Sequence, residues 1–162
     1  MVVRIGFGYD VHRLETGLPF WLGGIKVEHN KGCVAHSDGD CLIHALCDAI
    51  LGAAALRDIG YHFPDTDNTF KNIDSKILLQ KTIKLISAQG FKIGNTDITI
   101  CLQKPKIAEF IPQMIQCLSD IMQVPTSDIN IKATTTEKLG FVGMEEGIAV
   151  YAVCTIYPIA EN

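Results

Sequence analysis

No Cys-x-x-Cys pair occurs in this sequence, nor any apolar run long enough to cross a bilayer. The longest strictly apolar stretch, Ala49 to Leu56, is interrupted by Gly52 and falls far short of a spanning helix. Met1 to Asp10 carries a glycine pair and lacks the apolar core of a secretory signal. Positive charge is also scarce: 14 Lys+Arg stand against 18 Asp+Glu, a net charge of −4. Such a balance offers no electrostatic footprint for nucleic acid or an anionic membrane. With 162 residues, 48% of them hydrophobic, the expectation is one soluble, cytoplasmic α+β domain with an ample core. The six cysteines, Cys33, Cys41, Cys47, Cys101, Cys117 and Cys154, lie mostly in apolar surroundings. They read as reduced, buried small hydrophobes, with Cys33 in a loop as a reactive candidate.

The order of elements follows from periodicity and punctuation. Val2 to Phe7 is β-rich, and Gly23-Gly24 between Phe20–Leu22 and Ile25–Val27 signals a hairpin. Asp38 or Asp40 caps a helix carrying Leu42, Ala45, Leu46, Ala49 and Ile50 on one stripe. Gly60 to Asn72 reads as a long loop, and a second helix runs from the Asp74 cap to Gly90. Ile98–Leu102 and Ile129–Ala133 are strands flanking a third helix, from Ile111 to Met122, with Pro112 in its first turn. Gly147 to Tyr157 is a closing strand. Ile148, Val150, Ala152, Cys154 and Ile156 face one way, and Ala149, Tyr151, Val153 and Tyr157 face the other. Apolar residues on both faces require cover on both sides. Helices supply one cover, and a partner subunit is expected to supply the other.

Two constellations carry chemistry. Asp10-x-His12 on an extended segment puts a carboxylate and an imidazole on one face, an arrangement open to a cation or to a plain surface strand end. His44 follows an acidic helix start, and Asp48 sits one turn later, where it is expected to fix the imidazole tautomer. Two histidines and an aspartate make a three-ligand zinc site with an open position, the catalytic arrangement. His36, Ser37 and Asp58 add polar groups around the same helix, whereas His29 and His62 read as loop histidines. The second constellation, Thr134-Thr135-Thr136-Glu137-Lys138, follows an apolar strand. Its hydroxyls suit a phosphate and its carboxylate a hard cation such as Mg²⁺; the same composition also fits an exposed polar turn.

Taken in order, Asp10-x-His12, His36-Ser37-Asp38-Gly39-Asp40 with His44, Asp58-Ile59-Gly60, Phe63-Pro64-Asp65-Thr66-Asp67 and Lys132 to Phe141 resemble the 2-C-methyl-D-erythritol 2,4-cyclodiphosphate synthase family of the non-mevalonate isoprenoid pathway. The likeness runs from Arg4 to about Ala152. It implies a CMP-releasing cyclase, a phosphorus-oxygen lyase acting on 4-diphosphocytidyl-2-C-methyl-D-erythritol 2-phosphate. It also implies Zn²⁺ on Asp10, His12 and His44, and a second ion, Mg²⁺ or Mn²⁺, on Glu137 with the substrate diphosphate. His36 and Thr135 take transition-state stabilisation. Ser37, Asp58, Ile59, Gly60, Phe63, Pro64, Asp65, Thr66 and Asp67 take the methylerythritol phosphate end. Leu102, Gln103, Lys104, Pro105, Lys106, Ile107 and Ala108 take the cytidine and its phosphates, together with Ala133, Thr134, Thr135, Thr136 and Glu137. Phe141 joins the substrate contacts and lines a central cavity.

The resemblance further implies a homotrimer with active sites at subunit boundaries and sheets facing that cavity. Met144 stands where many members carry an arginine that holds an isoprenoid diphosphate in the cavity, so with Met144 and Glu145 no such ligand is expected. Competing readings of the same residues are a zinc phosphodiesterase or pyrophosphatase, and a non-catalytic nucleotide-binding trimer.

Overall fold

A glycine pair sets the architecture. In the computed structural model, which describes residues 3–159, strand β1 (Arg4–Thr16) carries Gly6, Gly8, Asp10, His12 and Leu14 on its inner face. Ile5, Phe7, Tyr9 and Val11 lie on its outer face and are exposed. A Cβ added at Gly6 would fall 1.8 Å from the Ala49 carbonyl oxygen, and one at Gly8 1.9 Å from that of Ala45. Only glycine at these two positions lets helix α1 (Cys41–Ala53) lie directly on the strand. The strand's polar continuation, Asp10 and His12, thereby comes level with the first turn of that helix, where His44 sits.

The hairpin is as the glycines predict: β2 (Phe20–Leu22) pairs antiparallel with β3 (Ile25–Val27) as a separate two-stranded sheet. After β4 (Lys31–Cys33), Asp40 caps α1, its carboxylate accepting the Ile43 backbone N–H. Asp40 is also wholly buried and accepts the N–H groups of Gly23 at 3.0 Å and Gly24 at 2.6 Å, tying the hairpin turn to the helix start. The predicted apolar stripe of α1, Leu42, Ala45, Leu46, Ala49 and Ile50, is entirely buried.

The segment expected as a loop from Gly60 to Asn72 holds a one-turn helix α2 (Ile59–His62), so His62 belongs to a helix, and a 3₁₀ turn (Asn68–Phe70). Asp58 and Asp67 cap them, accepting from Tyr61 and Thr69. Helix α3 (Ser75–Ala88) starts on the Asp74 cap, and α4 (Ile111–Met122) holds Pro112 in its first turn. Strand β5 (Phe91–Cys101) is longer than expected, β6 (Ile129–Thr134) follows, and one-turn helix α5 (Gly140–Gly143) precedes β7 (Gly147–Pro158).

The main sheet has strand order β4-β1-β7-β5-β6, with β5 and β6 parallel and the other neighbours antiparallel, a mixed sheet in an α+β fold. α1 packs on β1 and β7, with α3 and α4 beside it on the same face. Ile148, Val150, Ala152, Cys154 and Ile156 of β7 are buried beneath these helices. On the opposite face Tyr151 and Val153 are exposed, whereas Ala149 is covered. Tyr9 and Tyr151 are cross-strand neighbours with ring centroids 5.0 Å apart, and Phe7 extends the aromatic patch. One sequence expectation changes here: the first strand runs nine residues past Phe7, because its pairing with β7 continues to Arg13 opposite Gly147 and Leu14 to Thr16 then pair with β4; Val2 lies outside the described residues.

All six cysteines are free thiols. Cys33 is not in a loop but in β4, buried, and its thiol is pushed far up by burial and by nearby Asp40, Asp10 and Asp38. A thiol so held is not nucleophilic, which removes it as a reactive candidate. Among the described residues, no helix is long and apolar enough to cross a membrane.

Candidate active site

The structure brings Asp10, His12 and His44 together. His12 Nε2 and His44 Nδ1 lie 3.0 Å and 3.2 Å from the same atom, Asp10 Oδ2, and 3.1 Å from each other. One ligand atom from each residue lies within 4.8 Å of the other two. A tetrahedral ion with bonds of about 2.0 Å has ligand–ligand edges of about 3.3 Å, so this triangle already has nearly the dimensions of one face. Two imidazoles and one carboxylate form a donor set that fits zinc, with one coordination position left for a ligand. Burial disfavours a charge on Asp10, but hydrogen bonds from His12 and His44 outweigh it and hold the carboxyl well below the usual range. Burial likewise disfavours charge on His44, and the Asp10 carboxylate reverses that and raises its pKa.

The other ring nitrogen of His44 is not held by Asp48 as the i+4 spacing suggests. Asp48 Oδ1 accepts the backbone N–H of Ile59 at 2.7 Å instead, because the chain after α1 folds back over that carboxylate. His44 Nε2 meets two hydroxyls, Ser75 Oγ at 2.9 Å and Ser37 Oγ at 3.1 Å. The Ser75 hydroxyl donates in turn to Asp38 Oδ1. Spacing gave no signal for this contact, since Asp38 and Ser75 are 37 positions apart and meet only when α3 docks beside α1.

Beside the triad opens a cavity of about 320 Å³. His12, His36, Ser37 and His44 line it, together with Ile59, Gly60, Phe63 and Asp65. Phe70, Ile73 and Leu78 complete an apolar wall that sequence reasoning did not single out. His36 Nε2 is buried there with no hydrogen-bond partner among the described residues, a polar atom available to a ligand. Pro64, Thr66, Asp67 and Asp58 are not among the lining residues; the last two spend their carboxylates on helix caps.

A second cavity, also about 320 Å³, is lined by Leu102, Pro105, Lys106, Ile107, Ala108, Ala133, Thr134 and Thr135. Gln103 has a buried Oε1 without a partner among the described residues, and Lys104 points to solvent in an ion pair with Glu145 at 3.0 Å. Next to this cavity, Glu137 accepts a hydrogen bond from the Thr135 hydroxyl at 3.1 Å, and Thr136 closes the turn by donating to the Leu139 carbonyl. Glu137 and Lys138 both take positive φ, 53° and 65°, which presents the carboxylate from a tight turn. The two cavities have no lining residue in common. Within the chain the Asp10–His12–His44 triad and the threonine-rich loop are therefore parts of different concavities. Phe141 and Met144 are exposed on α5 and just after it.

Fold and site define a mixed α+β protein with a candidate two-histidine, one-carboxylate metal centre opening into a cavity. Residues 3–157 match the YgbB family, and the chain belongs to that family. It is 60% identical over 156 residues to a protein of Phocaeicola vulgatus named 2-C-methyl-D-erythritol 2,4-cyclodiphosphate synthase, covering 96% of this chain and 98% of that one. A protein of the same name from Porphyromonas gingivalis is 59% identical, covering 94% of each chain. Among solved structures, an IspF–CDP complex from Plasmodium falciparum superposes with a TM-score of 0.86 at 35% identity, covering 98% of this chain and 97% of that one. The bifunctional IspDF of Campylobacter jejuni matches with a TM-score of 0.94 at 42% identity; this chain covers 43% of its length.

Proposed function

We propose that this chain, acting as one cyclodiphosphate synthase-like domain over residues 1–162, converts 4-diphosphocytidyl-2-C-methyl-D-erythritol 2-phosphate into 2-C-methyl-D-erythritol 2,4-cyclodiphosphate and CMP. The near-full-length identity to synthases of that name supports the reaction. The observation that carries the site is the convergence of Asp10, His12 and His44 on one point at the edge of a polar-and-apolar cavity. An oxygen of the 2-phosphate attacks the β-phosphorus, the bond from that phosphorus to the bridging oxygen breaks, and CMP leaves with the electron pair. The nucleophile is already an anion, so no protein base is required. Phosphoryl transfer of this kind asks chiefly for alignment and charge neutralisation.

The division of labour follows the geometry. Zinc held by Asp10, His12 and His44, and Mg²⁺ or Mn²⁺ held by Glu137, would supply charge neutralisation at the phosphates. A single carboxylate suffices for the latter ion when diphosphate oxygens complete its shell, which fits Glu137. His36, with its unpartnered buried Nε2, and Thr135, with its hydroxyl already turned toward Glu137, steady the developing charge. Ser37, Ile59, Gly60, Phe63 and Asp65 receive the methylerythritol phosphate end, and the apolar wall excludes water that would otherwise hydrolyse the diphosphate. Lys106, Ile107, Ala108 and Thr134 receive the cytidine phosphates in the second cavity.

The assembly is proposed as a homotrimer. The uncovered patch of Ile5, Phe7, Tyr9, Val11, Tyr151 and Val153 calls for a second apolar surface, and two cavities without a common residue join if they face each other across a subunit boundary. Met144 offers no charge to a diphosphate in the central cavity, and Glu145 is engaged with Lys104, so no isoprenoid diphosphate is expected there.

Product analysis in ¹⁸O-water tests the reaction. Cyclisation predicts CMP and a cyclic diphosphate without solvent oxygen. Incorporation of ¹⁸O into phosphate would instead establish the hydrolase reading.

A further inference from the structure

Ser75 is wholly buried at the first position of α3. Its backbone N–H donates to Asp38 Oδ2 at 2.9 Å, and its hydroxyl donates to Asp38 Oδ1. The same Oδ1 takes the N–H of Asp40 at 3.1 Å, so Asp38 clasps the starts of α1 and α3 together. An ionised carboxylate can only accept, and a serine hydroxyl has one hydrogen to give. With that hydrogen spent on Asp38, Ser75 Oγ can offer only a lone pair to His44 Nε2, 2.9 Å away. In the neutral imidazole that metal binding requires, the one hydrogen then sits on Nε2, and Nδ1, the atom facing Asp10 and His12, keeps its lone pair for the ion. Ser37 does not impose this direction: its Oγ accepts the Gly39 N–H, and no carboxylate stands behind its own hydroxyl among the described residues.

We propose that Asp38 and Ser75 form a hydrogen-bonded relay that sets the tautomer and ring orientation of His44 and so holds its Nδ1 as a zinc ligand. Both are positioning residues, since neither reaches the cavity's reacting groups. The inference rests on the zinc reading of Asp10, His12 and His44, and deepens it.

Zinc affinity of the full-length protein, freed of metal and titrated against a chromophoric chelator, tests the relay. Ser75→Ala weakens zinc binding by about 10- to 100-fold, the usual cost of losing such a support. It shifts the absorption bands of the cobalt-substituted protein and leaves far-UV circular dichroism unchanged. Asp38→Asn, which cannot serve both the N–H and the hydroxyl of Ser75, weakens zinc by a similar factor, and the double variant is little worse than either alone. Ser119→Ala, which removes a buried hydroxyl bonded instead to the Val124 carbonyl, leaves affinity unchanged. Affinity within twofold of the parent in Ser75→Ala, or fully additive losses in the double variant, overturns the relay while the zinc site stands. If the parent binds no zinc, or His44→Ala binds it equally well, the zinc reading fails and the relay with it.

Discussion

Gly8 of β1 and Ala45 of α1 touch backbone to backbone: a Cβ at Gly8 would lie 1.9 Å from the Ala45 carbonyl oxygen and 2.7 Å from the Ala49 nitrogen. This contact sets the height of α1 above the sheet, and therefore the distance from His44 to Asp10. Gly8→Ala forces helix and strand apart, because neither atom in the way belongs to a flexible side chain. A loss of about 1–3 kcal/mol in urea unfolding is expected, together with loss of zinc. Unchanged zinc content would show that the close approach does not place His44.

Among the described residues Asp40 is buried without a counter-charge, and it is sustained by three backbone donors, from Gly23, Gly24 and Ile43. Burial pushes its carboxyl up, and those donors pull it back. Asp40→Ala strands all three N–H groups, at about 1–3 kcal/mol for each that water cannot reach. A total cost of about 3–5 kcal/mol follows, with Asp40→Asn intermediate because one acceptor oxygen remains. Chemical denaturation of the two variants measures the order.

Much of this scaffold is legible in the sequence because it is local. The Asp40 and Asp74 caps, the Gly23-Gly24 turn and the stripe of α1 are each read within a few residues. Asp10 and His12 are likewise legible as a pair, since alternation alone puts them on one face. What is hidden depends on packing. The single turns α2 and Asn68–Phe70 are too short for a periodic signature and exist because Asp58 and Asp67 cap them. Asp48 is drawn to Ile59 by a chain reversal that helical spacing does not encode, so the i+4 reading of His44 misses Ser75. His44 is legible as a candidate third ligand at the acidic helix start, but only the helix–strand contact explains why it arrives beside Asp10 and His12.

Phe7 is 61% exposed on the uncovered sheet face. Phe7→Asp leaves the subunit folded, because the side chain supports nothing in its own chain's core. Sedimentation velocity should show a trimer for the parent and one-third of that mass for the variant, with zinc retained and cyclisation lost. A monomeric parent that cyclises would contradict an active site shared between subunits.

Glu137 accepts a hydrogen bond from the hydroxyl of Thr135, a residue that lines the second cavity. Glu137→Gln keeps the size and removes the charge, so the Mg²⁺ or Mn²⁺ concentration for half-maximal activity should rise at least tenfold with zinc content unaltered. An unchanged metal titration would remove Glu137 from ion binding.

The most direct measurement is an anomalous-difference map at the zinc edge from crystals soaked with cytidine diphosphate. One peak per subunit is predicted, about 2.0–2.2 Å from Asp10 Oδ2, His12 Nε2 and His44 Nδ1, with the nucleotide seated against Lys106 to Ala108 and Thr134. A zinc peak outside reach of those three atoms, or none with zinc in excess, would contradict the account.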